Sequence, residues 1–296
     1  MSEPAKEKMK ILICHDGSEA AERALRLGGM VASACKAEAT LLGIIESQGE
    51  AETIHDSLKR GLASLTDKGV AAELITRTGQ PIEEIVRRTE EANYELVVIG
   101  ATRKETVGHF WMSSKAYKII KEIKPPVLLV AGKVATIKRI LICSGGKTYI
   151  ENALPLTGQL ARALGATVVL LHVMPEPPGI LAKLPGMGPD VERLLASRSE
   201  LGTNLRHAKE GLEAMGVPVE VRLRDGEVLA EILQELHGGE YELIVAGTAL
   251  SHNFRTYVLG DITREIVNHV RCAVLTVRTP RQPAGRPFSL KAWFKG

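Results

Sequence analysis

The chain has 296 residues, a length that favours two domains of ordinary size. Its 45% hydrophobic content is normal for a globular protein, while a formal net charge of +3 and 4% aromatic residues argue against a nucleic-acid-binding surface. The charged N-terminus contains no signal-peptide core, no apolar run is long enough to span a bilayer, and the four cysteines form no CxxC pair. These features predict a cytoplasmic protein without a zinc knuckle or a disulfide framework.

The most informative feature of the sequence is an internal repeat. Ile11–Cys14 (ILIC) returns unchanged 129 residues later, Ala39–Leu42 returns as Ala166–Val169 at an offset of 127, and Glu95–Leu96 returns at an offset of 147. Because the offset is constant within blocks, the chain is one duplicated domain. The second copy then carries twenty extra residues, since the offset rises from 127 to 147.

In chain order, the first copy alternates strands and helices. Short apolar runs bounded by turn residues predict buried strands, Ser18 is a plausible N-cap, Gly69 suits a helix C-terminus and Pro81 suits a first helical turn. The predicted strands are Lys10–Cys14, Ala39–Ile45, Val70–Arg77, Glu95–Ile99 and Val127–Ala131, and the predicted helices are Glu19–Ala34, Glu52–Lys68, Pro81–Ala92 and Ser114–Ile123.

The second copy follows the same order. Its predicted strands are Arg139–Cys143, Thr167–Val173, Val217–Arg224, Glu242–Ala246 and Ala273–Val277. The alternation predicts two α/β domains, each a five-stranded parallel sheet flanked by helices. We place the first domain at residues 1–133 and the second at 137–279.

Two segments fall outside the repeat. The insertion near residues 174–190 is rich in Pro and Gly and predicts a loop packed on its own domain, with a lid or a partner-docking arm as the alternative. The basic tail, residues 280–296, predicts a solvated peptide, and weak binding to an acidic membrane or to a partner is the alternative.

The segment Ile11–Glu19 (ILICHDGSE), the strand–helix alternation and the loop after Gly100 resemble the universal stress protein family, with two such domains in tandem. The resemblance covers about residues 9–131 and 138–277. It implies a Rossmann-like, adenine nucleotide alpha hydrolase-like fold with strand order 3-2-1-4-5 and a ligand crevice between strands 1 and 4. Family members pair through their fifth strands, so we expect an internal pseudo-dimer through Val127–Ala131 and Val274–Val277. Two chains are then expected to associate as a homodimer, with a protein partner of unknown identity.

ATP-binding members of that family carry G-x2-G-x9-G-[ST] in the loop after the fourth strand and an Asp at the end of the first. Glycines let backbone N–H groups approach phosphates, and the final pair opens a helix whose N-terminus favours an anion. The Asp can accept hydrogen bonds from ribose or adenine, and backbone groups after the second strand, near Ile44, can read the adenine edge.

The first copy matches this motif in part. Asp16, Gly100 and Ser114 stand at the acid, the first glycine and the hydroxyl position. Arg103 and Ser113 replace the other two glycines. The Arg103 side chain either blocks the loop or binds phosphate through its charge.

The second copy matches less well. Gly247 and Gly260 occupy the outer glycine positions, and Leu250 replaces the middle one. Asp261 replaces the hydroxyl and would repel phosphate at close range, and Gly145 replaces the first-strand Asp. The first copy is therefore the better candidate for ATP or another adenine nucleotide.

Other chemistry is not indicated. Ser144–Thr148 (SGGKT) imitates a P-loop, but the required earlier glycine is Leu141, so a Walker site is not expected. The histidines lack metal-ligand spacing, and we predict no metal site. No acid, base and nucleophile converge in the sequence, so we predict a non-catalytic, regulatory stress-response protein, with nucleotide sensing through the first site. A nucleotide-free interaction scaffold and a slow nucleotide hydrolase are the alternatives.

Overall fold

The computed structural model describes residues 8–46, 51–101, 103–106, 109–112, 114–144, 152–174, 190–248 and 261–278. Four objects of the sequence predictions lie outside the described residues. They are Ser113, Gly260, nearly all of the insertion (175–189) and the tail (279–296). The loop that imitates a P-loop also lies outside from residue 145 onward.

The first half alternates strands and helices as predicted. Its strands are β1 (Lys10–His15), β2 (Glu38–Ile45), β3 (Ala71–Thr78), β4 (Leu96–Gly100), β5 (Arg103–Thr106), β6 (His109–Met112) and β7 (Val127–Val130). Its helices are α1 (Glu19–Cys35), α2 (Ala51–Asp67), α3 (Pro81–Glu91) and α4 (Ser114–Glu122).

The second half repeats this order. Its strands are β8 (Arg139–Ser144), β9 (Thr167–Met174), β10 (Val219–Asp225), β11 (Leu243–Thr248) and β12 (Ala273–Arg278). Its helices are α5 (Leu154–Leu164), α6 (Val191–Ala196), α7 (Glu200–Ala214), α8 (Val228–Gly238) and α9 (Asp261–His269). The short helix α6, which follows the insertion, was not predicted.

Local sequence explains where the helices begin and end. The Ser18 hydroxyl accepts the Ala21 N–H at 3.1 Å, which satisfies one of the free donors at the start of α1. The helix ends at Lys36 in the left-handed conformation, with φ of 52°. Pro81 opens α3, where its missing N–H is no loss.

Ten strands form one sheet, in the order β10-β9-β8-β11-β12-β7-β4-β1-β2-β3. Within each half all neighbouring strands are parallel, in the 3-2-1-4-5 order that the family resemblance implied. The predicted tandem Rossmann-like fold is therefore confirmed. The two halves meet where β7 pairs antiparallel with β12, which is the predicted pairing of fifth strands.

The halves share their hydrophobic cores. One buried cluster covers each face of the sheet, and both clusters contain residues of both halves: Leu128 and Leu275 on one face, Leu129 and Val274 on the other. Helices α1 and α5 pack against each other across the junction. The Arg278 guanidinium also donates to the carbonyl of Ile120, 3.1 Å away, near the C-terminus of α4. Because burial of apolar surface is the main stabilising term, the halves stabilise each other.

Strand register corrects one part of the predicted repeat. Ile11 pairs with Ala39 and Ile140 pairs with Val168, so the second strands are related by the same offset of 129 as the first strands. The predicted offset of 127 there was wrong, because similar short apolar words allow a shift of two residues that preserves the in–out alternation. The offset rises from 129 to 147, so the insertion contains eighteen residues rather than twenty.

The segment after β4, predicted to be a loop, contains a hairpin. Strands β5 and β6 pair antiparallel, with Arg103 opposite Met112. Strand β6 lies against α9 of the second half, so the segment carrying the first-copy motif crosses the junction. No helix among the described residues is long and apolar enough to cross a membrane.

Candidate functional site

The strongest site geometry in the first half is a crevice where β1 and β4 separate. The two strands pair only from Ile11 with Leu96 to Ile13 with Val98, although they continue to His15 and Gly100. Beyond this point β1 turns toward β2 and β4 toward β7, which is the switch point at which open α/β sheets bind ligands. The crevice is therefore bordered by the His15–Ser18 turn on one side and by Gly100 on the other.

Strands β8 and β11 separate in the same way. Their pairing ends at Ile142 with Val245, although the strands continue to Ser144 and Thr248. Both halves thus keep the backbone geometry of a ligand crevice, and the differences between them lie in side chains.

The turn after β1 orients Asp16. This residue is exposed, and its Oδ1 accepts the Ser18 N–H at 3.1 Å. Gly17 has a φ of +80°, and a Cβ on it would come within 2.8 Å of the Ile54 side chain on α2. The turn therefore requires glycine, and it places the carboxylate beside the N-terminus of α1, where backbone N–H groups and the helix dipole favour an anion.

Gly100 has a structural role of its own. A Cβ at this position would lie 2.3 Å from the carbonyl carbon and oxygen of Ala20 and 2.6 Å from the Ala21 nitrogen. All three atoms belong to the backbone of the first turn of α1, which cannot move as a side chain would. The glycine is thus required for packing of β4 against α1, and its presence does not by itself indicate phosphate binding.

The remaining predicted residues are placed unequally. Ile44 is 1% exposed and is the first residue of β2 beyond its pairing with β1, so its backbone borders the crevice while its side chain lies in the core. Gly247 is in β11 beyond the pairing with β8, at the second crevice. Arg103 begins β5 and Ser114 begins α4, but their side chains are outside what is described.

Sequence reasoning missed a buried histidine beneath the first crevice. His15 is 1% exposed, and its Nδ1 accepts the Gly17 N–H at 3.1 Å. Its Nε2 lies 3.4 Å from the Ser57 hydroxyl on α2 and 3.4 Å from Glu22 Oε1 on α1. The burial was predictable, because His15 continues the alternation of Ile11 and Ile13 on one face of β1. The partners were not, because they come from two other elements.

A short hydrogen bond closes this network. The Ser57 hydroxyl donates to Glu22 Oε1. Burial works to raise the pKa of the Glu22 carboxyl, but the Ser57 hydroxyl and His15 outweigh burial and hold that pKa below its ordinary value. The carboxylate is thus ionised and anchors both neighbours.

The second crevice has a different histidine. His172, on β9, is 8% exposed, and its Nδ1–H donates to the Ser144 carbonyl at 2.9 Å. Burial lowers the pKa of His172, and this carbonyl offsets only part of the effect. The ring is therefore neutral and is bonded to a strand rather than to a turn.

The described side chains provide no activated nucleophile among the cysteines. Burial raises the pKa of Cys35 to about 11 and that of Cys143 to about 12, and it raises the pKa of Cys14 further still. These residues are thiols at neutral pH and behave as small apolar groups. Among the described residues, no three His, Cys, Asp or Glu side chains gather where they could hold a metal ion.

A cavity of about 390 Å³ lies at the opposite, amino-terminal edge of the first half. Four of its side chains bond to one another: Arg88 donates to Tyr94 at 2.7 Å and to Glu73 at 3.1 Å, Tyr94 donates to Thr40 at 3.2 Å, and Thr40 donates to Glu73 at 2.8 Å. Because these polar groups satisfy one another, the cavity makes a weaker ligand site than the crevice.

The sheet order, the two switch points and the duplicated strand–helix alternation define a tandem Rossmann-like α/β protein. The chain belongs to the universal stress protein family, whose model matches residues 8–131 and again 136–278.

Comparisons with individual proteins agree with this assignment. The universal stress protein in the QAH/OAS sulfhydrylase 3′ region of Thermus aquaticus is 30% identical over 142 residues, which are 48% of this chain and 98% of that protein. A universal stress protein from Archaeoglobus fulgidus DSM 4304 superposes with a TM-score of 0.67 and 17% identity, covering 91% of this chain and 98% of its own. A protein of unknown function from Pseudomonas aeruginosa PAO1 gives a TM-score of 0.62 at 13% identity, with 92% of each chain covered.

Proposed function

We propose that this protein is a regulatory member of its family that binds an adenine nucleotide in the first crevice and does not turn it over. The observation that carries the proposal is the separation of β1 and β4 beyond Ile13 and Val98, with Asp16 held at the rim beside the start of α1. An open switch point, an oriented carboxylate and a helix N-terminus are the parts from which α/β folds build nucleotide sites.

The residues divide the nucleotide between them. Asp16 uses Oδ1 to hold Ser18, and no hydrogen bond from another described residue engages Oδ2. That oxygen is available to accept from a ribose hydroxyl. The backbone of Ile44, beyond the end of β1, is placed to read the edge of the base. The phosphates would then extend toward Gly100 and the segment that begins with Arg103.

The direct test is to denature freshly purified protein and to identify released nucleotide by mass spectrometry and absorbance. Calorimetric titration with ATP, ADP and AMP follows on the emptied protein. We expect binding that Asp16→Ala weakens by about tenfold, the effect of losing one hydrogen bond to a carboxylate. Asp67→Ala is the matched control, since Asp67 is an exposed carboxylate at the far end of α2. A protein that carries no nucleotide and binds none at millimolar concentration would overturn the proposal.

The absence of turnover is part of the proposal. The buried cysteines are protonated, and His15 is fully engaged in structural hydrogen bonds, so neither can serve as nucleophile or base in the crevice. Phosphate release from ATP, followed over hours with stoichiometric enzyme, should not exceed the buffer blank. Release that Asp16→Ala abolishes would instead support the hydrolase alternative.

A further inference from the structure

We propose that His15 is the positioning residue of the first crevice: its ring holds the turn that presents Asp16, and Ser57 and Glu22 hold the ring. This inference rests on the proposed function of that crevice. His15 itself lies beneath the rim with its side chain fully buried, so it acts through Asp16 and Gly17 rather than on a ligand.

Donor and acceptor assignment fixes the tautomer. A backbone N–H can only donate, so Nδ1 of His15, which faces the Gly17 N–H, carries no proton. The ring proton of the neutral imidazole is therefore on Nε2, where the Ser57 oxygen and Glu22 Oε1 can accept it at 3.4 Å each. The Ser57 proton in turn goes to Glu22. Every group in the chain from Gly17 to Glu22 has a consistent role, and the chain connects the turn to both α2 and α1.

The second half provides an internal comparison. By the offsets of 129 and 147, His15 corresponds to Ser144, Asp16 to Gly145 and Ser57 to Asn204. The half that lacks the carboxylate thus also lacks the histidine and its hydroxyl partner. Asn204 Nδ2 is buried without a partner among the described residues, so no equivalent network has replaced the first.

A histidine is nevertheless present at the same level of the second half. His172 stands opposite Ser144 in the strand register, whereas the residue opposite His15 is Gly43. His172 has the other tautomer, because its Nδ1 donates to a carbonyl. It fills comparable space but bonds to its neighbouring strand, which makes it the matched control for His15.

The experiment has one arm that needs no ligand. In ¹⁵N-labelled protein, NMR of the imidazole nitrogens should show His15 protonated on Nε2 and His172 on Nδ1. The Gly17 amide should exchange with solvent at least about tenfold faster in His15→Ala, since it loses its acceptor, and His15→Asn should restore protection because an Asn side chain can accept from the amide two residues on. A His15 ring protonated on Nδ1, or unchanged Gly17 exchange in His15→Ala, would overturn the inference.

The second arm uses ATP as the probe. We expect His15→Ala to weaken ATP binding by about tenfold, His15→Asn to recover most of it, and His172→Asn to leave it unchanged. If His172→Asn weakens binding as much as His15→Ala, a general packing effect explains both and the positioning role is refuted. If the wild-type protein binds no ATP, the proposed function fails, while the tautomer and exchange measurements still decide what His15 does to the turn.

Discussion

Replacing Gly100 by alanine tests the reading of the crevice most directly. The added Cβ would lie 2.3 Å from the carbonyl carbon and oxygen of Ala20, whereas non-bonded carbon atoms prefer about 3.5–4.0 Å. Either β4 or the first turn of α1 must therefore move by about 1 Å or more. Both elements are fixed, since β4 is paired on both sides and Ala20, Ala21 and Ala24 are buried. Overpacking usually costs about 1–3 kcal/mol, and because the obstacle is backbone we expect about 3 kcal/mol.

Urea denaturation followed by far-UV circular dichroism measures this loss as a lower midpoint with an unchanged slope. Gly238→Ala is the matched control: this glycine ends α8, is exposed, and has no atom within 4 Å of the added Cβ. It should be neutral or stabilising by about 0.5–1 kcal/mol, the usual helical preference for alanine. If Gly100→Ala remains within about 0.5 kcal/mol of wild type, the close approach of β4 to α1 is not real, and Gly100 must be explained by phosphate binding alone.

Three further changes test the packing elsewhere. Gly132→Ala would place a Cβ 1.8 Å from the Arg271 carbonyl oxygen at the junction of the halves, and it should cost about 3 kcal/mol in the same urea assay; wild-type stability would contradict this contact. Thr157→Val removes a fully buried hydroxyl that has no partner among the described residues, so we expect a gain of about 1 kcal/mol rather than a loss. The pKa of Glu235 is held below its ordinary 4.5 because hydrogen bonds, including that from Arg222, outweigh burial, so the carboxylate stabilises the fold above that pH and the contribution is lost as pH falls through the lowered value. Glu235→Gln should therefore destabilise at pH 7 by about 3 kcal/mol and flatten the acid dependence of stability, and an unchanged acid slope would refute the assignment.

The sequence predicted the architecture well because architecture depends on patterns that are local and repeated. Buried strands such as Leu96–Gly100 are nearly continuous apolar runs, and Ser18 and Pro81 mark helix starts by their own chemistry. The duplication supplied a second reading of each element. Register within the second strand failed for the same reason that the pattern is strong: the run Thr167–Met174 looks similar after a shift of two residues.

The candidate site was less predictable because its properties come from contacts between distant residues. Gly100 was read as a phosphate-loop glycine, and only the position of Ala20 shows that packing also requires it. The partners of His15 are seven and forty-two residues away on two different helices, and no spacing rule connects them. The hairpin β5–β6 was missed because four-residue strands give almost no periodic signal.

The two halves therefore have unequal roles within one folding unit. The first half retains the carboxylate, the histidine and the hydroxyl that together shape a crevice rim, and the second retains only the backbone geometry of a crevice. The second half is still required, because β12 covers the edge of β7 and both hydrophobic clusters continue across the junction. Strand β6, in the segment that follows Gly100, also lies against α9. A site in the first half thus depends on the second half for support, which explains how the second copy can lose its own ligand-binding residues while the duplicated fold is kept.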